Sequence, residues 1–392
     1  MIKHIIKLIW NKKSSNALLL LEILLAFLVL AAVLSFVFYN TDRLSSPLGF
    51  ETENRKYITF GELNDLDSTQ RVETLALLKR SLEELDLVEQ VAYSNPVGPF
   101  ANSNYCHGND DNGYDIQACY AVVDHSFVTT NGMKIIEGRD FLEDDYTAAY
   151  SPIIFNKHFM DEFYPEQSMI DSVIQFQGNE MKIVGVIEEY KYNGEFEESD
   201  NRALLLYTPA LAGFIRLTKA YLKMNPAADI AYEEKISKTI ESVLKTPSFT
   251  IQDAPLLRKR TNLETWIPMY ALLGMCIFLC INVALGLFGV LSYSISKRRS
   301  EVGLRRALGA SGAAIAQQFT LEIIILTAFA ILIGIVFAIQ IPILNFFDVD
   351  SSIFYRGILY SSLIILIVVT VCALYPSIQA ARIHPALALH EN

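Results

Sequence analysis

Charged residues are scarce in this chain, because Asp, Glu, Lys and Arg make up only 19% of its 392 residues. Soluble globular domains carry about 25%. Three catalytic motifs are absent as well: the G-x-x-x-x-G-K-[ST] phosphate loop, G-x-S-x-G and H-E-x-x-H. Their absence argues against P-loop nucleotide hydrolysis, α/β-hydrolase chemistry and zincin-type proteolysis. The 6 histidines are scattered without ligand spacing, so we expect no catalytic residue, metal or cofactor in this chain.

Apolar residues, in contrast, are abundant. They make up 52% of the chain, and the mean hydropathy is +0.29. Four apolar runs are long enough to cross a hydrocarbon core of ~30 Å as helices. They are Ala17–Tyr39, Ile267–Ser294, Ala314–Ile341 and Gly357–Gln379. The predicted fold class is therefore a membrane protein with four transmembrane α-helices, surrounded by membrane lipid.

The charges divide unevenly along the chain. Residues 40–266 carry 37 acidic and 21 basic residues, a net charge of −16, whereas the rest carries 6 acidic and 11 basic residues, a net charge of +5. A segment of this length can hold one or two domains with cores of their own. Its acidity argues against a nucleic-acid partner.

Basic residues at the ends of the apolar runs predict the orientation. Four lysines precede the first run, five cations lie between the second and third runs, and Arg382 follows the last. Because short cytoplasmic loops are enriched in Lys and Arg, both termini are predicted to be cytoplasmic. Arg258-Lys259-Arg260 opposes this assignment, but charges in long translocated segments count little. A cleaved signal peptide is the alternative for the first run, whose length favours a retained anchor.

These boundaries divide the chain into nine predicted segments. They are a cytoplasmic N-terminal segment (1–16), a transmembrane helix (17–39), a large extracytoplasmic α/β domain with a stalk (40–266), a second transmembrane helix (267–294), a cytoplasmic coupling loop (295–313), a third transmembrane helix (314–341), a short extracytoplasmic loop (342–356), a fourth transmembrane helix (357–379) and a cytoplasmic C-terminal tail (380–392).

The inserted segment is predicted to be mixed α/β. Thr69–Val88 and Asp229–Lys245 carry apolar residues at helical spacing, with Val72, Leu75, Leu78, Leu82 and Leu85 as the stripe of the first. The strand candidates are Tyr57–Phe60, Val88–Tyr93, Tyr120–Val123, Ile153–Phe155, Val173–Gln177, Met181–Ile187, Leu204–Tyr207 and Phe249–Ile251. Gln177-Gly178-Asn179-Glu180 predicts a hairpin turn. Asn102–Asp115 is a polar loop that either wraps a partner or is simply solvated.

The second span is predicted to begin well outside the membrane. Asp253-Ala254-Pro255 combines a capping acid with a first-turn proline, which is typical of a helix start. A helix from there to about Ser296 would be twice as long as the bilayer requires and would project as a stalk. A break into two helices at Pro268 is the alternative.

Two cysteines lie in the predicted extracytoplasmic segment. Cys106 and Cys119 could form a disulfide in an oxidising compartment. A metal site built from these cysteines with His107 and His125 is the weaker alternative, because the spacing fits no common zinc pattern. Cys276, Cys280 and Cys372 fall within the spans and are interpreted as small apolar side chains.

A few polar and small residues interrupt the spans. Glu22 and Glu322 are near predicted cytoplasmic helix ends, where carboxylates lie at the interface or pair with cations. Asn282 is deeper, and we expect it to bond a neighbouring helix rather than a substrate. Gly286, Gly289 and Gly334 are interpreted as positions of close helix packing.

The loop between the second and third runs carries the most specific pattern. Helical spacing in Arg299–Ala310 places Val302, Arg305 or Arg306, and Gly309 on one side of a short cytoplasmic helix. Control of orientation alone is the simpler interpretation of such a basic loop. The predicted interface with a partner comprises Arg299, Glu301, Val302, Gly303, Arg305, Arg306, Leu308, Gly309 and Ala310.

This loop resembles a known pattern. Arg299-x-Glu301-Val302-Gly303-Leu304-Arg305-Arg306-Ala307-Leu308-Gly309-Ala310 is similar to the R-x-x-E-[IV]-G-[IL]-R-[RK]-A-[LI]-G-A segment of FtsX-like permeases, a family that includes MacB-type exporters. Gly132 to Phe141 resembles the "G-x-x-x-x-x-G-R-x-F" segment of the MacB-type extracytoplasmic domain. Tyr375-Pro376 to Leu389 resembles the family's C-terminal ending, although His384 and His390 replace a common acid and arginine there.

The resemblance implies a partner and a mechanism. Such permeases work as dimers, with a second permease subunit that is a homologous or identical copy, and bind two copies of a cytosolic ABC ATPase that uses ATP and Mg²⁺. ATP-driven movement passes through the spans to the outside domain. MacB itself carries a fused ATPase, and because this chain starts at the anchor we expect a separate ATPase polypeptide.

Three functions fit this pattern. The leading hypothesis is a permease subunit in the bacterial inner membrane that expels a periplasmic peptide, lipopeptide or drug-like substrate, with a periplasmic adaptor and an outer-membrane channel as further partners. An FtsX-like regulator of a cell-wall hydrolase is the second, and its domain is usually much smaller. A lipoprotein-releasing permease of the LolC/LolE type is the third.

Overall fold

The computed structural model describes residues 13–382 except 62, 64–65, 102–104, 110–115, 166, 177, 209–210, 245–247 and 345–348. The chain divides into two compact units. Residues 43–265 form the first, here called the head, and residues 1–42 with 266–392 form the second, here called the bundle. The C-terminal motif from Pro385 onward and most of the polar loop after Ala101 are outside the described residues.

The helices are α1 (Lys13–Arg43), α2 (Ser68–Glu83), α3 (Phe127–Thr130), α4 (Lys157–Phe163), α5 (Tyr232–Leu244), α6 (Ala254–Lys297), α7 (Arg299–Ala307), α8 (Gly312–Ala338), α9 (Gln340–Ile343) and α10 (Ser351–Ala381). The strands are β1 (Arg55–Phe60), β2 (Val88–Ser94), β3 (Cys106–Asn109), β4 (Ile116–Val123), β5 (Ile135–Gly138), β6 (Ser151–Asn156), β7 (Val173–Phe176), β8 (Asn179–Ile187), β9 (Arg202–Leu206), β10 (Lys219–Met224) and β11 (Phe249–Asp253).

Four of the described helices are long and apolar enough to cross a membrane. They are the segments Ala17–Arg43, Ala254–Lys297, Gly312–Ile343 and Ser351–Ala381, with window hydropathies between 2.4 and 3.0. A mixed α/β domain is inserted between the first and the second. The predicted fold class is therefore confirmed.

The head is built on one mixed sheet in the order β11-β1-β10-β2-β4-β9-β6-β8-β5, with β3 added to β4 and β7 added to β8. Parallel pairing occurs between β4 and β9 and between β6 and β8, and the other pairs are antiparallel. Phe176 pairs directly with Asn179, and Gly178, which lies between the antiparallel strands β7 and β8, has φ +71. The pairing of these strands agrees with the predicted hairpin, of which Gln177 is outside the described residues.

Each face of the sheet carries its own core. Helices α2, α4 and α5 cover one face and bury residues such as Leu78, Phe155 and Ile236. Loops and α3 cover the other face with an aromatic cluster that includes Tyr57, Phe127 and Tyr221. A sheet that is buried on both sides needs apolar residues at successive positions, and β6 and β9 show such runs.

Sequence reasoning found eight of these strands and missed three. The missed strands are Cys106–Asn109, Ile135–Gly138 and Lys219–Met224. The first two are only four residues long, and the third contains two lysines, Lys219 and Lys223, among its six residues. Short or charged strands give weak periodic signals, because sheet position rather than local composition stabilises them.

The stripe of α2 differs from the prediction at its first position. Arg71, Leu75, Leu78 and Leu82 are the buried residues, whereas Val72 is 41% exposed. The helix begins with a capping box in which the Asp67 side chain accepts from the Gln70 amide. A guanidinium therefore occupies a buried position where the apolar pattern pointed to a valine.

The segment that resembles the MacB-type motif stabilises one corner of the head. Gly132 and Gly138 have positive φ angles of +64 and +74, which favour glycine. Arg139, which directly follows Gly138, forms a bidentate ion pair with Asp145 at 2.7 and 2.8 Å. The pair raises the pKa of Arg139 through hydrogen bonding to the Asp145 carboxylate. These residues build the fold, and we assign them no binding role.

Helix α6 runs without interruption for 44 residues. Pro268 lies inside it and does not divide it into two helices, so the continuous helix predicted from Asp253 is confirmed. At 1.5 Å per residue such a helix is ~65 Å long, about twice the hydrocarbon thickness.

Candidate coupling site

The basic loop folds as a short helix between two long ones. Helix α7 follows the end of α6 directly, and Ser311 caps α8 by accepting from the Ala314 amide at 3.2 Å. Gly309, with φ +97, allows the chain to turn after α7, and the Ala310 amide donates to the Arg305 carbonyl at 3.0 Å. This left-handed glycine ends the helix in the way that C-terminal caps commonly do.

One side of α7 packs into the bundle. Val302 is 3% exposed and belongs to the apolar core of the four long helices, and Gly303 beside it is buried. These two residues fix the helix against the bundle. They belong to the predicted interface set, but their side chains are not available to a partner.

A polar network ties α7 to the start of α8. Arg298 contacts both carboxylate oxygens of Glu322 at 3.1 Å, and Gln318 donates to the same carboxylate at 3.3 Å. Arg305 donates to Gln318 at 2.7 Å and to Glu301 at 2.5 Å. Glu322 therefore pairs with a cation near the bundle's end, as expected for an acid at that position.

The exposed side of α7 is apolar with a basic edge. Leu304 is 52% exposed and Leu308 is 80% exposed, and the two are one helical turn apart. Glu301 and Arg299 are exposed beside them, and Arg306 is half-buried. The exposed face therefore includes Leu304, which the predicted interface set left out, whereas Val302, which the set included, is buried.

The predicted packing residues of the spans fall into two groups. A side-chain carbon on Gly334 would lie 2.3 Å from the Phe27 ring, and one on Gly286 would lie 2.6 Å from the Glu22 carboxylate. These two glycines allow α8 and α6 to approach α1. Gly289 has no described atom within 4 Å of such a carbon, and Asn282 is exposed and donates to Phe278 of its own helix at 2.9 Å. The Asn282 amide is thus bonded within its own helix, and the space beside Gly289 is open in the described part of the chain.

The predicted cysteine pair lies on neighbouring strands. Cys106 of β3 is opposite Cys119 of β4, and the two form a disulfide. Among the residues that the structure describes, no group of His, Cys, Asp and Glu side chains could hold a metal ion.

In the head, one loop contacts the ends of two long helices. Arg43, the last residue of α1, donates to the Phe196 carbonyl at 3.2 Å and pairs with Glu198 at 2.5 Å. Lys191, which is 1% exposed, donates to the Arg43 carbonyl at 2.7 Å. Burial lowers the pKa of Lys191. We call residues 191–198 the anchor loop.

The first turns of α6 are tied to the same loop. Glu195 pairs with Arg258 and accepts from Asn262. Ala254 at the start of α6 is fully buried in the aromatic core, and Leu257 packs against it. The anchor loop therefore contacts the C-terminal end of α1 and the first turns of α6. Sequence reasoning missed it, because acidic loop residues show no periodicity.

Comparisons with known proteins agree with this architecture. Residues 17–239 match the MacB-like periplasmic core domain family, and residues 269–385 match the FtsX-like permease C-terminal family. The uncharacterized ABC transporter permease YvrN of Bacillus subtilis is 23% identical over 282 residues, which is 68% of each chain. The macrolide export ATP-binding/permease protein MacB of Bartonella quintana is 23% identical over 380 residues, covering 93% of this chain and 56% of the relative.

Among solved structures, the periplasmic region of MacB from Actinobacillus actinomycetemcomitans is similar to the head. It is 12% identical, the alignment covers 55% of this chain and 94% of that chain, and the TM-score is 0.39.

Four apolar helices with a periplasmic-type α/β domain between the first two define the class of ABC transporter permeases. Within that class, the chain belongs to the MacB-like periplasmic core domain family and carries an FtsX-like permease C-terminal region. Membership implies an ATPase partner and dimerisation in general. The chain spans just over half the length of the MacB relative, so that protein's activity does not transfer as a whole.

Proposed function

We propose that this chain transmits ATP-driven movement from a separate cytosolic ABC ATPase to the head, which expels a periplasmic peptide, lipopeptide or drug-like substrate. We infer that the protein lies in the bacterial inner membrane with both termini in the cytoplasm. The ATPase supplies the energy, and the chain converts it into a rigid-body movement of the head.

The observation that carries this proposal is the continuity of α6. A single 44-residue helix joins strand β11 of the head to the residue before α7. An uninterrupted helix transmits displacement along its axis, because hydrogen bonds join successive turns, and Pro268, which lacks an amide hydrogen, removes only one of them. The contacts of Arg258 and Asn262 with Glu195 in the anchor loop support the transfer of that displacement to the head.

The ATPase is proposed to dock on the exposed face of α7. Leu304 and Leu308 supply an apolar centre, and Arg299 and Arg306 supply a charged edge, a combination typical of protein interfaces. Val302, Gly303 and Arg305 hold the helix in place from behind. Gly309 and Ala310 end the helix and set the direction of the chain after it.

The second permease subunit is proposed to pack on the exposed stripe of α6. Phe278, Asn282, Leu285 and Gly289 follow one another at helical spacing, and all are exposed within the chain. A small residue and an amide on such a stripe allow close approach and hydrogen bonding between helices. This arrangement would use Asn282, which is exposed, and Gly289, which has open space beside it in the described part of the chain.

The docking face can be tested in native membranes. We expect the L304D/L308D variant to lose at least nine-tenths of the ABC ATPase that co-purifies with the tagged chain, because it places two charges in the apolar centre of the interface. The R305E/R306E variant should have a similar effect. L77D, which changes an exposed leucine of α2 in the head, is the matched control. Normal ATPase recovery with both variants would reject docking on α7.

The orientation can be tested independently. Leu308 is 80% exposed on α7 and Phe214 is 88% exposed on the head, so both L308C and F214C should be accessible to a thiol reagent. In intact cells with a permeabilised outer membrane, a membrane-impermeant maleimide should label F214C only. Labelling of L308C to the same extent under these conditions would overturn the proposed mechanism.

A further inference from the structure

A cavity interrupts the apolar packing of the bundle. It has a volume of about 550 Å³ and lies between α1, the end of α8, α9 and the start of α10. Protein interiors contain few voids larger than a water molecule. The volume is within the range of ~300–1,000 Å³ that is typical of ligand pockets.

Small side chains on α1 create this cavity. Ala31, Ala32 and Ser35 all line it, and Ser35 is one helical turn from Ala32. Close by, α10 approaches α1 closely, because a side-chain carbon on Gly357 would lie 3.0 Å from the Ala31 carbonyl oxygen. The two helices are therefore in contact beside the cavity, and the small residues of α1 leave space next to that contact.

The lining favours a hydrocarbon guest. The Ser35 hydroxyl already donates to the Ala31 carbonyl at 2.8 Å, and most of the lining consists of carbon atoms of apolar side chains. An apolar cavity does not retain water and binds apolar molecules. Phe36, Phe337 and Ile341 line the cavity and are also exposed on the surface of the bundle. A hydrocarbon chain can therefore enter from the surrounding lipid.

An ion pair lies at one end of the face of α1 that lines the cavity. Ser35, Tyr39 and Asp42 follow one another at helical spacing. Both carboxylate oxygens of Asp42 pair with Arg356 of α10, and the two side chains are 42% and 40% exposed. The Arg356 guanidinium also lies over the Phe38 ring, 5.5 Å from its centroid. Charged side chains at the end of a span reach the membrane interface.

The cavity and the ion pair together match an amphiphile that carries both charges. A guanidinium has five N–H donors, of which a bidentate pair uses two, so Arg356 can also donate to a phosphate. The half-exposed Asp42 carboxylate can accept from an ammonium group. A headgroup with a phosphate and an ammonium fits this pair better than an anionic headgroup, which Asp42 would repel.

We propose that the bundle binds one phospholipid with an ethanolamine headgroup. One acyl chain occupies the cavity, the phosphate contacts Arg356, and the ammonium contacts Asp42. The site goes beyond the transmission of movement, because it assigns a specific lipid to three of the four spans. It uses no residue of α7, so loss of the lipid should leave ATPase recovery unchanged, and loss of ATPase docking should leave lipid binding unchanged.

The test uses the full chain purified in detergent and a photoreactive phosphatidylethanolamine that carries a diazirine in one acyl chain. After irradiation, peptide mass spectrometry should find adducts concentrated on the lining residues of α1 and α10. Leu332 and Ile367 are exposed outside the cavity and should carry several times less label. Unlabelled phosphatidylethanolamine should compete to saturation. Equal labelling of all exposed faces, or no labelling, would overturn the proposal.

Variants that fill the cavity provide the matched control. A32F places a ring in the cavity and should abolish the saturable labelling. A328F adds the same ring at an exposed position of α8 outside the cavity and should be labelled as wild type is. A32V adds only two methyl groups, so it should fold and weaken the labelling even if A32F does not fold. Unchanged labelling of both Ala32 variants would contradict an acyl chain in the cavity.

The headgroup contacts are tested by changing one charge at a time. R356Q should weaken competition by phosphatidylethanolamine about tenfold, the typical effect of removing a hydrogen bond to a charged group. D42N should shift the preference toward phosphatidylglycerol, which is anionic and has no ammonium. Equal losses for both lipids in both variants would show that the ion pair is only structural, and the headgroup assignment would fail.

An acylated peptide is the other source of a hydrocarbon chain. N-palmitoylglycinamide has the chain but neither the phosphate nor the ammonium, so it should displace the photoreactive lipid more weakly than phosphatidylethanolamine does. Stronger displacement that R356Q does not change would assign the cavity to the acyl chain of a substrate. That result would overturn the assignment to a phospholipid.

Discussion

The head and the bundle bury apolar side chains in opposite proportions. In the head, Phe155 is fully buried between strands and α4, and large exposed side chains such as Phe214 are isolated. In the bundle, exposed apolar residues continue along every long helix, as Leu332 and Ile367 show at about 61%. Water drives apolar side chains into the interior of the head, whereas lipid allows the same residue types to remain on the surface of the bundle.

The two regions also differ in how they handle polar groups. The head pairs many charges at its surface and interior, as in the Lys79–Asp124 contact at 2.8 Å. In the bundle, hydroxyls such as Thr327 and Ser35 donate to the carbonyl one turn earlier in their own helix. Hydrogen bonds within the same helix satisfy such polar groups where no water can reach them.

The largest expected loss of stability comes from a substitution in the helix-covered core of the head. The Phe155 ring stacks on Phe159 with centroids 3.8 Å apart, and both are fully buried. Phe155→Ala should destabilise the head by about 3–5 kcal/mol, since it leaves a cavity in a two-sided core. Urea unfolding followed by tyrosine fluorescence measures this, with F214A as the control that should change stability little. Equal effects of both variants would contradict the assigned core.

The disulfide should contribute somewhat less to the stability of the head. Cys106 and Cys119 are 13 residues apart in sequence, and closing a loop of that size stabilises a domain by about 3 kcal/mol. The C106S/C119S variant should therefore lower the melting temperature of the head, and reduction of wild type should have the same effect. Cys276, Cys280 and Cys372 are free, so a C276S/C280S/C372S variant separates reduction of the disulfide from other thiol effects. A reductant effect that persists in C106S/C119S would exclude this bond as its cause.

In the bundle, the sharpest contrast is between two glycines. Gly334→Leu should destabilise the bundle by about 1–3 kcal/mol, because its side chain would collide with the Phe27 ring. Gly289→Leu should leave the monomer stable, because its position is open within the chain. Thermal unfolding in detergent measures both variants.

The same pair tests the proposed subunit contact. If a second subunit packs on α6, Gly289→Leu should reduce dimer recovery in size-exclusion chromatography, whereas the monomer's melting temperature should not change. A dimer that survives this substitution, together with absent disulfide cross-linking of N282C, would exclude the proposed stripe as the interface.

Much of this architecture could be predicted from the chain, for reasons that particular residues make clear. The four spans follow from long apolar runs, and the start of α6 follows from Asp253 and Pro255. Pro268 left two outcomes open, because a proline in a helix can either be tolerated or break it. The helix continues through Pro268, and local composition does not distinguish these two outcomes.

The limits of prediction are equally specific. Helical spacing grouped Val302 with Arg305 or Arg306 and Gly309 on one side of α7, whereas in the structure Val302 is buried in the bundle core and Leu304 is exposed. Spacing likewise put Val72 rather than Arg71 in the stripe of α2, because a charged residue is a poor candidate for a core position. In both cases tertiary contacts determine which of two nearby positions is buried, and a single periodic pattern does not contain that information.

The smallest predicted effect depends on pH and concerns a lysine on the aromatic face of the sheet. Lys219 of β10 is opposite Ser94 and Thr59, and burial lowers its pKa to about 8. In the unfolded chain a lysine titrates near 10.4, so the unfolded state holds this proton more tightly. Below about pH 8 Lys219 is charged in both states, and its burial lowers the free energy of unfolding of the head by the full amount. The free energy of unfolding rises between pH 8 and 10.4. Above that range the lysine is neutral in both states and no longer affects stability.

Lys219→Met should therefore stabilise the head by about 2 kcal/mol at pH 7, and this gain should disappear by about pH 10.5. Lys223→Met is the matched control, because Lys223 is on the same strand and pairs with Glu89 at 3.1 Å near the surface. Urea unfolding at both pH values measures the two variants. A K219M gain that is independent of pH would show that packing, rather than the buried charge, sets the cost of this lysine.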